Sequence, residues 1–157
     1  WSSDVCSSDL IGSMPGNNSR LRIAIAMRRA GYCFATVVHD SAVIAEGVKL
    51  AEGAQVMAGC VLQPGVSIGE DSIVNTGAGV DHDCVIGARC HLAPGVTLSG
   101  AVSVDDDVHI GTGTSVIQRI HIGAGCIVGA GSVVLADIAA GTKFIQPRAA
   151  RTESTEE

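Results

Sequence analysis

The chain has 157 residues, the length of one ordinary domain, and a formal net charge of −6. Hydrophobic residues make up 46% of it and aromatic residues only 3%, so a core must be built from Val, Ile, Leu and Ala. No basic stripe interleaved with aromatic residues is visible, which argues against a nucleic-acid-binding groove. No apolar run approaches the roughly 18 residues of a membrane span. No signal-peptide pattern is found either, so we expect a cytoplasmic protein.

The first part of the chain predicts little regular structure. Residues 1–10, WSSDVCSSDL, are polar and Ser-rich, and we interpret them as a non-native cloning remnant, with a natural disordered tail as the alternative. Residues 19–31 predict one amphipathic helix that ends at Gly31, and the short strand FATVV, residues 34–38, follows. One helix with one strand is too little for an independent domain. We therefore expect residues 11–40 to be the remnant of an α/β substrate-binding domain.

A hexapeptide period dominates the chain from Ile44 onward. Neither a helix nor a strand gives this spacing over such a length. A small or β-branched residue stands two positions before many of the aliphatic ones, and glycines cluster one and three positions after them. Glycines in fixed register suit turns with positive φ or close backbone approach. The aliphatic positions are Ile44, Leu50, Val56, Leu62, Ile68, Val74, Val80, Ile86, Leu92, Leu98, Val104, Ile110, Val116, Ile122, Val128 and Val134.

This period resembles that of the hexapeptide-repeat left-handed parallel β-helix, in which three hexapeptides form one triangular coil. The resemblance implies an all-β fold, with the β-helix at residues 41–143 and a C-terminal tail at 144–157. The left hand comes from the resemblance alone, since crossover connections are usually right-handed. Cysteines at the small inward position should act as buried hydrophobic groups in a reduced compartment. They are Cys60, Cys84, Cys90 and Cys126.

The triplet Asp81-His82-Asp83 is the first candidate functional site. In a coil of three hexapeptides, His82 falls at a corner, in one column with Pro64 and Gly100, and its side chain should project away from the aliphatic core. Proline and glycine are ordinary corner residues, whereas histidine is not. A carboxylate beside an imidazole fixes its tautomer and raises its basicity, as a general base requires. A solvated polar corner is the alternative interpretation.

Three further histidines are placed by the same period. His91 and His109 are separated by three hexapeptides and should stack on one face, whereas His121 should lie on another face. We predict that His109 and His121 are surface residues, and the position of His91 leaves both a surface and a site role open.

Residues 73–100, IVNTGAGVDHDCVIGARCHLAPGVTLSG, resemble the sugar acetyltransferases of bacterial glycan synthesis. That group contains the sialic acid O-acetyltransferases and the UDP-4-amino-sugar N-acetyltransferases. Its pattern centres on an acidic-His-acidic-Cys segment followed by a second histidine, and it is far more specific than a generic hexapeptide. The matching residues are Val74, Asn75, Thr76, Ala78, Val80, Asp81, His82, Asp83, Cys84, Ile86, Gly87, His91, Leu92, Pro94 and Gly95.

The resemblance implies a role for each matching site residue. His82 would be the general base that takes a proton from the acceptor amine or hydroxyl, and Asp83 would orient its imidazole. Asp81 completes the triplet, Asn75 lies at the family's site, and His91 would contact substrate or cofactor. Gly100 corresponds to the family's glycine whose backbone N–H approaches the acetyl carbonyl, so it would be an oxyanion donor.

The family binds acetyl-CoA in the groove between two neighbouring chains of a homotrimer. Small residues stacked one coil apart would let the cofactor approach the coils here, with an ordinary role in coil packing as the alternative: Gly111, Thr112, Gly129 and Ala130. The family's C-terminal segment helps to wrap the cofactor; in the corresponding IQPRAA, Pro147 matches and would be a cofactor-binding residue, whereas Ile145 and Arg148 depart from the pattern. The first strand and glycine turn of the family's N-terminal domain are not found. We therefore expect this chain to bind acetyl-CoA and to transfer acetyl groups poorly.

Two other functions stay open. The γ-class carbonic anhydrases share the coil and hold a metal with three histidines, but no two histidines here have the close spacing of their paired ligands, and only His91 and His109 would stack. A truncated, non-catalytic trimeric scaffold is the other alternative. The sequence does not choose between N- and O-acetylation, and it predicts no metal in the acetyltransferase site.

Overall fold

A computed structural model describes residues 19–146, which form one helix followed by short strands. The helix α1 spans Ser19–Arg29. The strands are β1 (Val37–Val38), β2 (Val43–Ile44), β3 (Lys49–Leu50), β4 (Gln55–Val56), β5 (Val61–Leu62), β6 (Ser67–Ile68), β7 (Ile73–Val74), β8 (Gly79–Val80), β9 (Val85–Ile86), β10 (His91–Leu92), β11 (Thr97–Leu98), β12 (Ser103–Val104), β13 (His109–Ile110), β14 (Ser115–Val116), β15 (His121–Ile122), β16 (Ile127–Val128), β17 (Val133–Val134) and β18 (Lys143–Phe144).

The strands form three parallel sheets, which are the three faces of a triangular prism. Face A contains β1, β4, β7, β10, β13, β16 and β18. Face B contains β2, β5, β8, β11, β14 and β17, and face C contains β3, β6, β9, β12 and β15. Each strand pairs with the strand one coil away, so that His91 lies beside His109 and Thr97 beside Ser115. The predicted left-handed β-helix is confirmed.

The aliphatic residues of the hexapeptide period fill the prism. From Val56 to Val134, every one of them is at most 2% exposed. Burial of each such side chain contributes roughly 1.5–3 kcal/mol, so the stack holds together without aromatic residues. The four cysteines predicted at the small inward position are fully buried and unpaired. Burial raises the pKa of the Cys90 thiol to about 11, so it remains a neutral, inert group.

The corners follow the same period. Every sixth residue from Gly47 to Gly131 has a positive φ, and glycine occupies most of these positions, as the glycine register predicts. The second set of glycines allows neighbouring coils to approach closely. A Cβ on Gly69 would lie 2.5 Å from the backbone of Gly87, so a side chain at position 69 would force the two coils to shift. We name the corners by the faces they join: the A–B, B–C and C–A edges.

The prism begins earlier than the sequence predicts. The strand expected in a preceding α/β unit is Val37–Val38, and it pairs with β4 as the first strand of face A. The coils therefore include residues that the prediction placed before position 41. The reason is that β1 lies one full coil before β4, with Val37 beside Gln55, and so continues the ladder of face A. That residues 11–40 are the remnant of another domain stays a prediction.

Helix α1 lies against face A at this first end of the prism. Ala24 is buried, and the Arg28 guanidinium forms an ion pair with Asp71 at 2.7 Å. The guanidinium also lies 4.8 Å from the centre of the Phe34 ring. These contacts fix α1 on the coils.

The last coil is shorter than the others by two positions. Strand β18 pairs with β16 so that Lys143 lies beside Ile127, whereas a coil of three full hexapeptides would place residue 145 there. The bridge between Ile122 and Ile138 shows the same shortening. The final strand ends at Phe144, next to the predicted boundary at 143.

The remaining predictions about the two ends of the chain cannot be compared with the fold. Those for residues 1–10, for Pro147 and for the rest of the C-terminal tail lie outside the described residues. No helix within residues 19–146 is both long and apolar enough to cross a membrane.

Candidate active site

The Asp-His-Asp triplet forms a corner on the B–C edge, between β8 and β9. The His82 Nδ1 donates a hydrogen bond to Asp83 Oδ2 at 2.9 Å, and Asp83 adopts a left-handed conformation with φ of 59°. The Asp81 carboxylate accepts a hydrogen bond from the His82 backbone N–H at 2.7 Å. Because Nδ1 holds the proton, Nε2 of the neutral ring is left with its lone pair. The pair therefore has the connectivity that a general base needs.

The electrostatics of this corner favour a basic imidazole. The hydrogen bond to Asp83 raises the pKa of His82, and the charge of Asp81 adds to that effect. The His82 side chain is 60% exposed, so water screens these charges. His82 thus remains able to exchange its proton with a ligand on the edge.

Gly100 lies directly beneath the His82 ring, one coil further along the edge. A Cβ at position 100 would lie 2.5 Å from His82 Nε2, so only glycine leaves the imidazole in this place. Gly100 occupies the same corner position as His82 and Thr76. In those two residues the backbone N–H donates to the side chain of the preceding residue, Asp81 or Asn75. Among the described residues, the N–H of Gly100 has no hydrogen-bond partner. A donor and a base are therefore neighbours on this edge, and the donor residue is buried beneath the imidazole.

Asn75 and His91 form a second group, on face A. The Asn75 Oδ1 accepts a hydrogen bond from the Thr76 backbone N–H at 2.7 Å, so its Nδ2 must face His91 Nε2, 3.1 Å away. An amide nitrogen can only donate, so His91 Nε2 is the acceptor and the ring proton is on Nδ1. His91 is therefore neutral in this arrangement, with a fixed tautomer.

His109 stacks on His91, as their separation by one coil predicts. The two ring centres are 5.0 Å apart and the rings are nearly perpendicular, at 83°. The prediction that His109 is a surface residue holds only in part: the side chain is half-buried, and its Nδ1 is buried with no hydrogen-bond partner among the described residues. Burial, with a smaller effect of His91, lowers the pKa of His109 to about 4. His121 lies on face C, as predicted, and pairs with Asp105 at 3.1 Å.

One chain does not bring the two groups together. His82 lies on the B–C edge, and His91 points outward from face A, which is the face opposite that edge. The aliphatic core of the prism fills the space between them. A site that contains both His82 and His91 therefore requires a second copy of the chain.

The predicted cofactor residues differ in accessibility. Thr112 and Ala130 are exposed and stack on the A–B edge, where the Gly131 N–H donates to the Thr112 carbonyl oxygen at 2.7 Å. Gly111 is buried, and its Cβ would lie 2.5 Å from the Ala130 backbone nitrogen. Gly129 is half-buried beside Ile145. Close coil packing thus accounts for glycine at position 111, and the exposed Thr112 and Ala130 are the members of this group that a ligand can reach directly.

Metal-binding side chains do not converge in the described part of the chain. No group of three or more His, Cys, Asp or Glu residues with suitable geometry lies within residues 19–146. His91 and His109 form a pair only, and the buried Nδ1 of His109 is inaccessible.

Comparison with known protein families identifies the repeat as the hexapeptide repeat of bacterial transferases. Residues 65–100 match the bacterial transferase hexapeptide family (six repeats), and residues 101–136 match the hexapeptide repeat of succinyl-transferase. None of the curated proteins compared with the chain matches it.

Solved structures of sugar acetyltransferases are similar over most of this chain. PerB from Caulobacter crescentus, in complex with CoA and GDP-perosamine, is 42% identical with a TM-score of 0.76 over 81% of this chain and 61% of its own. The acetyltransferase domain of PglB from Neisseria gonorrhoeae, in complex with acetyl coenzyme A, is 34% identical with a TM-score of 0.77, covering 82% and 62%. WeeI from Acinetobacter baumannii is 30% identical with a TM-score of 0.67, covering 78% and 60%.

This chain therefore spans about three-fifths of the length of these relatives. The matched region includes the coils and the corner that holds His82. The chain is a hexapeptide-repeat protein whose sequence and fold fit those of the sugar acetyltransferases.

Proposed function

We propose that this chain is the catalytic β-helix of an acetyl-CoA-dependent acetyltransferase that modifies a sugar. The observation that carries the proposal is the His82–Asp83 pair, whose free Nε2 lies beside the Gly100 corner. The similar structures bound to CoA and to GDP-perosamine support both substrate classes. The acceptor would be the amine or hydroxyl of a nucleotide-linked amino sugar or a sialic acid, in the cytoplasmic synthesis of a bacterial surface glycan.

The reaction follows from the groups on the B–C edge. His82 Nε2 takes the proton of the acceptor N–H or O–H as the acceptor attacks the thioester carbonyl carbon. The Gly100 N–H donates a hydrogen bond to the oxygen that gains negative charge. The carbon–sulfur bond then breaks, and the proton on His82 passes to the departing CoA thiolate. A positioned base contributes roughly 10²–10⁴ in rate, and an oxyanion donor roughly 10²–10³.

The proposed site is completed by a second copy of the chain in a homotrimer. The His82 edge of one copy would face Asn75 and His91 of its neighbour, because one chain holds these groups on opposite sides of its core. Thr112 and Ala130 would line the groove for acetyl-CoA. Sedimentation is expected to show a trimer, and a monomer that still transferred acetyl groups would contradict this arrangement.

Calorimetric titration with acetyl-CoA tests the cofactor half of the proposal. Ala130→Trp should abolish binding by filling the A–B edge, whereas Ala124→Trp is the matched control at an exposed corner of the C–A edge. Gly111→Trp would not serve as a test, because its Cβ would clash with the Ala130 backbone and disturb the fold. Folded wild-type protein that binds no acetyl-CoA would contradict the proposal, and metal analysis of the same sample would then test the carbonic-anhydrase-like alternative.

A further inference from the structure

The B–C edge continues from His82 through two more corners. The Ala101 N–H donates to the His82 carbonyl oxygen at 2.8 Å, and the Arg119 N–H donates to the Gly100 carbonyl oxygen at 3.0 Å. Each coil adds about 4.8 Å along the prism, so Arg119 lies roughly 10 Å from His82 along this edge. Gly100 and Ala101 have small or no side chains. Gly100 is buried beneath the His82 ring and Ala101 is exposed, so Ala101 forms a shelf between the imidazole and the guanidinium.

Arg119 adopts a backbone conformation that arginine rarely takes. Its φ of 59° lies in the left-handed region, where glycine is favoured. Of the other charged residues in this conformation, Asp71 pairs with Arg28, Asp83 with His82, and Arg89 with Asp107. Arg119 has no ion pair or side-chain hydrogen bond within residues 19–146. The fold thus tolerates a strained arginine that no internal contact explains.

Charged side chains are distributed unevenly along the B–C edge. Asp81 and Asp83 make the His82 end acidic, and Arg119 makes the other end basic. Asp137, one corner further, already accepts a hydrogen bond from the His121 backbone N–H. In the described coils near this end, the other cation without a carboxylate partner is Lys143, which lies on face A. Asp137 keeps its negative charge, because its donor is a neutral N–H, so the Arg119 corner is the position on this edge where an anion is attracted, between acidic residues on either side.

We propose that the Arg119 guanidinium binds the diphosphate of a ligand whose reacting group lies at His82. The inference rests on the proposed function, which supplies two ligands with a diphosphate, the CoA thioester and the nucleotide-linked sugar. A guanidinium binds phosphate oxygens through paired N–H donors, so it suits this group better than an ammonium does. The ligand then lies along the shelf, with its diphosphate two coils from the base.

Calorimetry with Arg119→Gln tests the assignment. The probes are CoA, pantetheine, which lacks the diphosphate, and UDP. If Arg119 holds the cofactor, the variant should bind CoA about tenfold or more weakly and pantetheine unchanged. If it holds the nucleotide of the acceptor, only the UDP affinity should fall. Arg119→Lys should recover part of the lost affinity, and Lys49→Gln on face C is the control for the change in net charge.

The outcomes separate this inference from the proposed function. Equal affinities of the wild type and Arg119→Gln for both CoA and UDP would overturn the role of Arg119 alone. Wild-type protein that binds neither diphosphate would overturn both proposals. Arg119→Gly adds a check on the fold: its melting temperature should not fall, because glycine relieves the left-handed conformation. A fall of several degrees would assign Arg119 a structural role instead.

Discussion

Two histidines of one prism show opposite chemistry. His82 projects from the B–C edge, is 60% exposed and donates to a carboxylate, which raises its pKa. His109 stands on face A against another histidine, with a buried nitrogen, and its pKa falls to about 4. Both belong to the same hexapeptide repeat. The comparison teaches that the immediate surroundings decide which chemistry a histidine adopts: the corner gives His82 a carboxylate partner and water, whereas stacking on His91 buries a ring nitrogen of His109. His121 occupies the same hexapeptide position as His109 on face C, yet it is 52% exposed and pairs with Asp105.

Removal of the edge histidine should have the largest effect. His82→Ala is expected to lower kcat for acetyl transfer to a nucleotide-linked amino sugar by about 10²–10⁴. The affinity for acetyl-CoA and the melting temperature should stay unchanged, because the His82 side chain is 60% exposed. Steady-state kinetics and calorimetry check the two halves. Full activity of the variant would contradict the role of His82 as base.

A methyl group beneath the imidazole should also reduce the rate. Gly100→Ala places a Cβ where His82 Nε2 now lies, so the ring must move away. We expect kcat to fall by roughly 10² with little change in melting temperature, since the exposed ring can move without disturbing the core. Gly79→Ala is the control, because its Cβ would meet no atom within 4 Å. A loss of stability at Gly100→Ala would instead indicate a packing role.

The face histidine should affect stability through pH. The folded state keeps His109 neutral down to about pH 4, whereas the unfolded chain takes up a proton near pH 6.5. Stability is therefore lost as pH falls through this window, by at most about 3 kcal/mol. His109→Phe should remove most of that dependence in urea unfolding at pH 7 and pH 4.5. His121→Phe, an exposed strand histidine, is the control, and an equal effect in both variants would contradict the assignment.

Loss of the carboxylate partner should give the smallest effect. Asp83→Asn removes the main cause of the raised pKa of His82, so the base is freed of its proton at lower pH. The acidic limb of the kcat/KM profile should move to lower pH, and the rate on the plateau should fall by roughly tenfold as the ring loses its orientation. An unmoved acidic limb would show that His82 does not determine it.

Much of the fold could be predicted from the hexapeptide period alone. Every aliphatic position from Val56 to Val134 is buried, and the glycines three positions later adopt positive φ. The reason is that each coil repeats the same local environment, so one-dimensional spacing specifies three-dimensional position. The structure differs from the prediction at β1, which already belongs to face A although it precedes the predicted start of the coils at residue 41. The shortening of the last coil by two positions was not predicted, because the aliphatic period ends at Val134.

The candidate site was only partly accessible to sequence reasoning. The hexapeptide period predicted that His82 lies at a corner and that His91 stacks on His109, because both positions follow from a coil of three hexapeptides. The period does not reveal how deeply an outward-facing residue is buried. The buried nitrogen of His109 and the close contact between coils at Gly111 were therefore not predicted. The roles of the site residues in catalysis stay predictions.

By itself, the sequence determined which residues share a face, an edge and the core, since a fixed period leaves no other register. Only the tertiary structure decided that a ring nitrogen of His109 is buried, that Gly100 must be glycine beneath an imidazole, and that Arg119 has no partner on the same edge within the described coils. Those facts depend on distances between coils and on where side chains find partners, and neither quantity is contained in a spacing along the chain.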